Sequence, residues 1–441
     1  MQQAASATLA ALRRGELAGA RTLHLSGLGL REFPREILGL SDTLEVLDVG
    51  GNALTDLPGD IARLGRLRLL FASNNPFSRL PPALGACPAL SQVGLRGCGL
   101  REVPAEALPP RLRWLTLTDN AIEALPPALG QRSQLQKLML AGNRLRHLPD
   151  SMAGAGRLEL LRLSANRFER LPPWLAEMPR LAWLAWAGNP LDRAVPDTAP
   201  AILWQQLRPG PLLGEGASGQ VMEALWTVAG AASPRAVALK LFKGSMTSDG
   251  LPECEMAACL TAGAHPHLTG ALGRVAEHPD GRQGLVMPLL PAQWRTLAAP
   301  PSADSCSRDV YDPALRLAPA VALRIALAAG SAAAHLHGRG LLHGYLYGHN
   351  LLWDGSHGEA VLSDFGAASF LPPGPAAEGM QRLETRAWGL LLGELLNCCD
   401  ELAEDPLLRQ LEQDCTRPDV TARPQMAEAV AALRRHPLLG G

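Results

Sequence analysis

From Leu23 to about residue 195 the chain repeats itself every 22–24 residues. The clearest copies are LEVLDVGGNALTDLP (44–58), LQKLMLAGNRLRHLP (135–149) and LELLRLSANRFERLP (158–172). One polar position falls at Asn52, Asn75, Cys98, Asn120, Asn143, Asn166 and Asn189, in steps of 23, 23, 22, 23, 23 and 23 residues. A weaker first copy, Leu23-His24-Leu25, puts Leu28 in that place. A single copy is too short to bury its own leucines. A stack of such copies buries them against one another, so the pattern demands a solenoid in which each unit contacts its neighbours.

This pattern, L-x-x-L-x-L-x-x-N/C-x-L, resembles the leucine-rich repeat. Eight copies span residues 21–195, and residues 1–20 read as a short helix, with Leu9, Leu12 and Leu17 near one face, that caps the stack. The resemblance implies a horseshoe with a parallel β concave face. On that face the residues between the strand leucines are Phe71, Trp114, Lys137, Met139, Arg162 and Trp183, with Arg96 nearby. Aromatics mixed with Arg suit protein binding, so we expect a protein partner there. The rival reading is that Trp183 and Trp186 cap the last copy or pack on the next domain.

Four prolines, Pro190, Pro196, Pro200 and Pro209, then mark a stiff connection, which we expect as a linker over 196–208. The second domain is expected over 209–436. Net charge is −1, which argues against a nucleic-acid or anionic-membrane partner. Positive charge is nearly all Arg, with Lys only at 137, 240 and 243; with the Ala, Leu, Gly and Pro excess, this suggests a GC-rich, bacterial source. The eight Cys form no CxxC pair, which favours reduced thiols and a cytoplasmic protein. No signal peptide is expected, and Pro319–His337, the most apolar long stretch, is expected to be a buried helix and not a membrane span.

The second domain carries motifs in a fixed order. Leu213-Gly214-Glu215-Gly216-Ala217-Ser218-Gly219-Gln220-Val221 is a GxGxxGxV run. A Rossmann turn would lead from it into a helix, whereas Val221–Val228 alternates like a strand. Ala236-Val237-Ala238-Leu239-Lys240 comes next. A helix over 251–260 offers Glu253 and Glu255, of which the spacing from His265-Pro266 favours Glu255. Leu285–Leu290 reads as a strand entering a hinge. Then come His343-Gly344-Tyr345, Asn350, and Asp364-Phe365-Gly366, with a turn-rich hairpin between Trp353 and Leu362.

Together these resemble a protein kinase over about 203–436, a bilobal α+β fold; the whole chain is therefore expected in the α/β class, solenoid plus kinase. The resemblance implies ATP and Mg²⁺. It places Leu213 through Ser218, Gly219, Val221, Ala238, Lys240, Met287 and Leu289 around ATP, and pairs Lys240 with Glu255. It assigns Mg²⁺ to Asn350 and Asp364. Glu384–Leu395 resembles the family's D-x-W-S-x-G helix with Glu for Asp, and Arg423-Pro424 its late Arg-Pro.

Four departures bear on activity. Tyr345 stands where the family has its catalytic Asp, and a phenol with an ordinary pKa of about 10 is no carboxylate base. Gly344 replaces the Arg that grips a phosphorylated activation loop, Tyr347 replaces a Lys beside the γ-phosphate, and the stretch from Gly366 to Glu384 is short. The expectation is a serine/threonine protein kinase with a repeat domain for protein recognition, its turnover weak or absent. The alternative is an ATP-binding pseudokinase scaffold. A third reading makes the repeats an interaction module in their own right.

Overall fold

A computed structural model describes residues 2–192, 200–216, 218–228, 230–244, 246–247 and 249–439. Ala217 and positions 196–199 of the expected linker lie outside the described residues. The chain divides into two compact units, Met1–Trp174 and Leu175–Gly441.

The first unit opens with helix α1, Gln2–Arg13, which buries Ala5 and Leu12. Parallel strands follow at the repeat period: β1 Thr22–His24, β2 Val46–Asp48, β3 Leu69–Phe71, β4 Gln92–Gly94, β5 Trp114–Thr116, β6 Lys137–Met139 and β7 Leu160–Arg162. These seven pair in chain order, and β8, Trp183–Ala185, falls at the same period in the second unit. Opposite the strands the repeats make turns of 3₁₀-helix entered through an apolar residue and Pro; Pro34, Pro58, Pro81, Pro104, Pro126 and Pro149 occupy the N-cap positions. Proline suits that place, since its missing N–H would find no partner inside the turn.

The recurrent Asn supplies the turn's internal bonds. Asn143 Nδ2 donates to the carbonyls of Leu117 (2.9 Å) and Leu140 (3.0 Å), while its Oδ1 accepts from Ile122 N–H at 3.0 Å. Asn166 repeats this with Leu140, Leu163 and Leu145. At Cys98 the thiol lies 3.5 Å from the Ala72 carbonyl and replaces the donor, and the N–H of Phe77 turns to Asn75 O at 2.9 Å. The repeat tolerates Cys because the backbone supplies the lost acceptor.

In the second unit a six-stranded sheet runs in the order β10-β11-β12-β14-β13-β9. Its strands are β9 Ala201–Leu203, β10 Leu207–Glu215, β11 Gly219–Trp226, β12 Arg235–Phe242, β13 Gly273–Ala276 and β14 Gly284–Pro288. Helix α2, Pro252–Ala262, accompanies it. Strand β9 pairs in parallel with β13, so 201–203, expected as linker, belongs to this sheet. Ile202, 2 % exposed, belongs with Val237, Leu239 and Val275 in the core below it, which is why the chain is structured there.

The remainder is mostly helical: α3 Pro319–Gly338, α4 Ala376–Asn397, α5 Pro406–Thr416 and α6 Met426–Arg434. Short strands β15 Arg295–Thr296, β17 Leu351–Trp353 and β18 Ala360–Leu362 form one ribbon, and β16 Leu341–Leu342 pairs with β19 Ser369–Phe370. Helix α3 has the length and apolarity of a membrane span, but most of its Ala and Leu residues are packed inside the unit. A Cβ on its Gly330 would lie 2.7 Å from both Trp388 and Val430, and Trp388 Nε1 donates to Ala326 O at 2.9 Å. Small residues let α4 and α6 approach this helix closely, which is the role of its alanine content.

Candidate active site

Lys240 lies on β12, between Val221 of β11 and Leu285 of β14. Helix α2 carries Glu255 to it, and Lys240 Nζ and Glu255 Oε1 form a buried ion pair. Burial works against the lysine's charge, yet Glu255 and Asp364 together raise its pKa above the ordinary value. Burial pushes the Glu255 carboxyl up to about 7, with Lys240 opposing and Asp364 adding to the rise.

The pair lines a cavity of about 560 Å³, within the ordinary range for small-molecule sites. Leu213, Val221, Ala238, Met287, Leu289 and Leu352 make one part apolar, while Lys240, Glu255, Ser363 and Asp364 make another polar. Gly214, Glu215, Gly216, Ser218 and Gly219 also line it. The loop they form is closed by Gly216 N–H donating to Gly219 O at 2.9 Å, and Lys243 ties it down through Glu215 and the Gly216 carbonyl. Cys259, Thr269, Trp294 and Thr296 share the wall without having been anticipated. Cys259 lies one turn beyond Glu255 on α2, whereas Thr269, Trp294 and Thr296 lie between motifs, where spacing carries no signal.

Asp364 takes a left-handed backbone, φ +62°, and its Oδ1 accepts Gly366 N–H at 3.0 Å. Holding a non-glycine residue in that region costs about 1 kcal/mol, which the surrounding fold supplies. Asn350 is buried and is not a wall residue of the cavity; its Nδ2 donates to Tyr345 O at 2.9 Å. Its own carbonyl accepts from Ser363 N–H (2.9 Å) and Ser363 Oγ (2.8 Å), which ties the Asn350 and Asp364 segments together.

The loop 343–350 is held from several sides. Glu384 on α4 accepts from Gly344 N–H at 2.6 Å, His343 N–H at 3.3 Å and His337 Nε2 at 2.9 Å. Burial opposes its charge, but these bonds hold the carboxyl below its usual pKa. Asp309 takes His349 Nδ1 at 2.6 Å and His349 N–H at 3.0 Å. Arg308 and Tyr311 both bind Glu394. The stretch 299–317 is thus built into the site's support. Tyr345 packs edge-on to Tyr347 and His349, with ring centres 5.4 Å apart in each case.

Strand β8 supplies the principal correction. Trp183, expected on an open partner-binding face, is 2 % exposed. Its ring stacks on Tyr347, centres 4.2 Å apart at 8°, and its Nε1 donates to Leu346 O at 2.9 Å. Lys137 and Arg162 are corrected too. Lys137 is buried, with its ammonium 3.9 Å from the Trp114 ring centre, and Arg162 is fully buried, so neither offers an open charge. Phe71, Arg96, Trp114 and Met139 keep part of their surface exposed.

Magnesium is ordinarily held by one or two carboxylates, water and substrate phosphates, not by an all-protein cage. The Asp364 carboxylate, in a cavity shared with the Lys240–Glu255 pair and tied to the Asn350 segment, fits that chemistry. Among the described residues no group of three or more His, Cys, Asp or Glu forms a metal cage.

Comparison with known proteins agrees with this geometry. Residues 207–378 match the family model for protein tyrosine and serine/threonine kinases, and residues 110–168 match that for leucine-rich repeats. The chain is similar to mouse (Mus musculus) vasorin, 34% identical over 119 residues, covering 26% of this chain and 18% of that protein. It is similar to a Caenorhabditis elegans leucine-rich repeat serine/threonine-protein kinase 1, 34% identical over 100 residues, 22% of this chain and 4% of that protein. Human (Homo sapiens) leucine-rich repeat-containing protein 58 is 37% identical over 105 residues, 22% of this chain and 28% of its own length. The chain therefore spans less than a third of each of these relatives. It carries leucine-rich-repeat and protein-kinase domains.

Proposed function

We propose that the kinase domain of this chain binds ATP with Mg²⁺ and that its repeats recognise a protein, with phosphoryl transfer to serine or threonine slow at best. The observation that carries this reading is the Lys240–Glu255 pair inside a cavity that also holds Asp364. Lys240 would meet the phosphates, with Asp364 and Asn350 on the metal side. The apolar wall from Leu213 to Leu289 would take the base. Bound ATP and Mg²⁺ supply the transferable phosphoryl group and the charge that neutralises it.

Slow transfer follows from Tyr345. Replacing a positioned carboxylate by a neutral phenol removes a group worth roughly 10²–10⁴ in rate. Helix α4 strengthens this reading: it begins at Ala376 and runs without a break through Glu384, which leaves few residues after Gly366 to present a peptide. The scaffold alternative, nucleotide held without turnover, is favoured by the same two features. Protein recognition would use Phe71, Arg96, Trp114 and Met139. A cytoplasmic, bacterial setting remains part of the proposal on composition alone.

The test is nucleotide binding by the full chain, measured with a fluorescent ATP analogue with and without Mg²⁺. Binding should be Mg²⁺-dependent and should fall at least about tenfold in Lys240→Ala. Equal, Mg²⁺-independent signals in parent and Lys240→Ala would overturn the reading.

A further inference from the structure

We infer that strand β8, Trp183–Ala185, is a positioning element for the catalytic loop, and that Trp183 and Trp186 set the geometry of the Asn350 and Asp364 segments. The inference rests on the nucleotide-site reading for its functional consequence, though not for its structural part.

The strand reaches both arms of the site. Trp183 stacks on Tyr347 and donates to the Leu346 carbonyl at 2.9 Å. The backbone of Leu184 faces Gly344: a Cβ there would lie 2.6 Å from Leu184 O and 2.7 Å from Ala367 O, and Gly344 has φ +69°. Only glycine fits where repeat strand, loop and post-Asp364 segment meet. Two residues on, Trp186 N–H donates to Ser369 Oγ at 2.9 Å, and the Trp186 ring is fully buried. One short stretch therefore holds 344–347 and 367–369 at once.

The stretch is itself fastened at its start. Arg423 Nη2 donates to Pro179 O at 2.6 Å, and Arg386 Nε donates to Arg180 O at 3.2 Å. Between the two braced segments lies the Asn350–Ser363 link. If β8 lets go, the Asn350–Ser363 link and the β16–β19 and β17–β18 pairs remain, but 344–347 and 367–369 lose the brace they share. Positioning of a metal pair depends on both arms, so the loss should register in Mg²⁺-dependent binding more than in binding of the base.

The experiment uses the full chain as parent, Trp183→Ala, Trp183→Phe and Gly344→Ala. Hydrogen exchange is followed across all peptides, and ATP affinity is measured with and without Mg²⁺. In Trp183→Ala, exchange should rise about tenfold or more in 341–350 and 364–371, while α6 stays at parent level. Affinity with Mg²⁺ should fall about tenfold, and affinity without Mg²⁺ less than about twofold. Trp183→Phe keeps a stacking ring but no indole N–H, so it should lie between; Gly344→Ala should loosen the same two stretches and carries the comparison should Trp183→Ala not fold. Exchange unchanged in both stretches, or raised evenly across the unit, overturns the brace. If the parent binds no ATP the nucleotide reading fails, and the exchange pattern still decides the brace.

Discussion

Glu384 reaches from α4 to Gly344, accepting its backbone N–H at 2.6 Å while also holding His343 N–H and His337. A fully buried carboxylate is costly unless it is hydrogen-bonded, and here three donors bond it. Glu384→Ala should therefore destabilise the second unit by about 3 kcal/mol, read as a lowered denaturant midpoint. Because its folded pKa lies below the ordinary 4.5, the stability it contributes is present above that value and is lost as pH falls through the folded one. The parent should lose more stability than Glu384→Gln when both are acidified.

Asn143 makes the same kind of argument in the repeats. Its side chain serves two carbonyls and one N–H in a buried turn. Asn143→Ala should cost about 2–4 kcal/mol, because those groups lose partners away from water. Equilibrium unfolding of the parent and the variant would measure this.

Nucleotide affinity should depend on pH through Glu255. Its carboxyl titrates at about 7, raised mainly by burial. A raised folded pKa means the neutral form is favoured on folding, so this contribution to stability is full below the unfolded value and fades as pH rises through 7. The charged form that orients Lys240 grows over that same range. Affinity for ATP with Mg²⁺ should rise from pH 6 to pH 8 in the parent, and Glu255→Gln should flatten the part of the rise that exceeds ATP's own titration.

Lys243 offers a contrast in scale. It also pairs with a carboxylate at the site, but both it and Glu215 are substantially exposed. Exposed pairs contribute little, so Lys243→Ala should change ATP affinity less than about threefold, far below the loss for Lys240→Ala.

The repeats were legible because each copy contains its own instructions: leucines for the stack, Asn for the turn, Pro for the 3₁₀ entry. The Lys240–Glu255 encounter was legible through the kinase resemblance, with the spacing from His265-Pro266 choosing Glu255 over Glu253. Trp183 was misread for a physical reason. Its position in the repeat is the same as that of Trp114, and nothing local distinguishes a strand residue facing open space from one stacked on Tyr347, 164 positions later. Lys137 shows the same weakness, since cation–π burial against Trp114 depends on register between repeats. Asp309 was invisible because it sits in a stretch without periodicity, and its partner His349 is identified only by the fold.

Transfer of the γ-phosphate tests the central claim most directly. The parent, Tyr345→Asp and Asp364→Ala would be compared with labelled ATP and Mg²⁺, scoring both self-labelling and a generic basic protein. The account predicts a parent near the Asp364→Ala background and a rise of roughly 10²-fold or more in Tyr345→Asp. A parent well above that background, unchanged or slowed by Tyr345→Asp, would contradict it and place the hydroxyl-orienting group elsewhere in the loop.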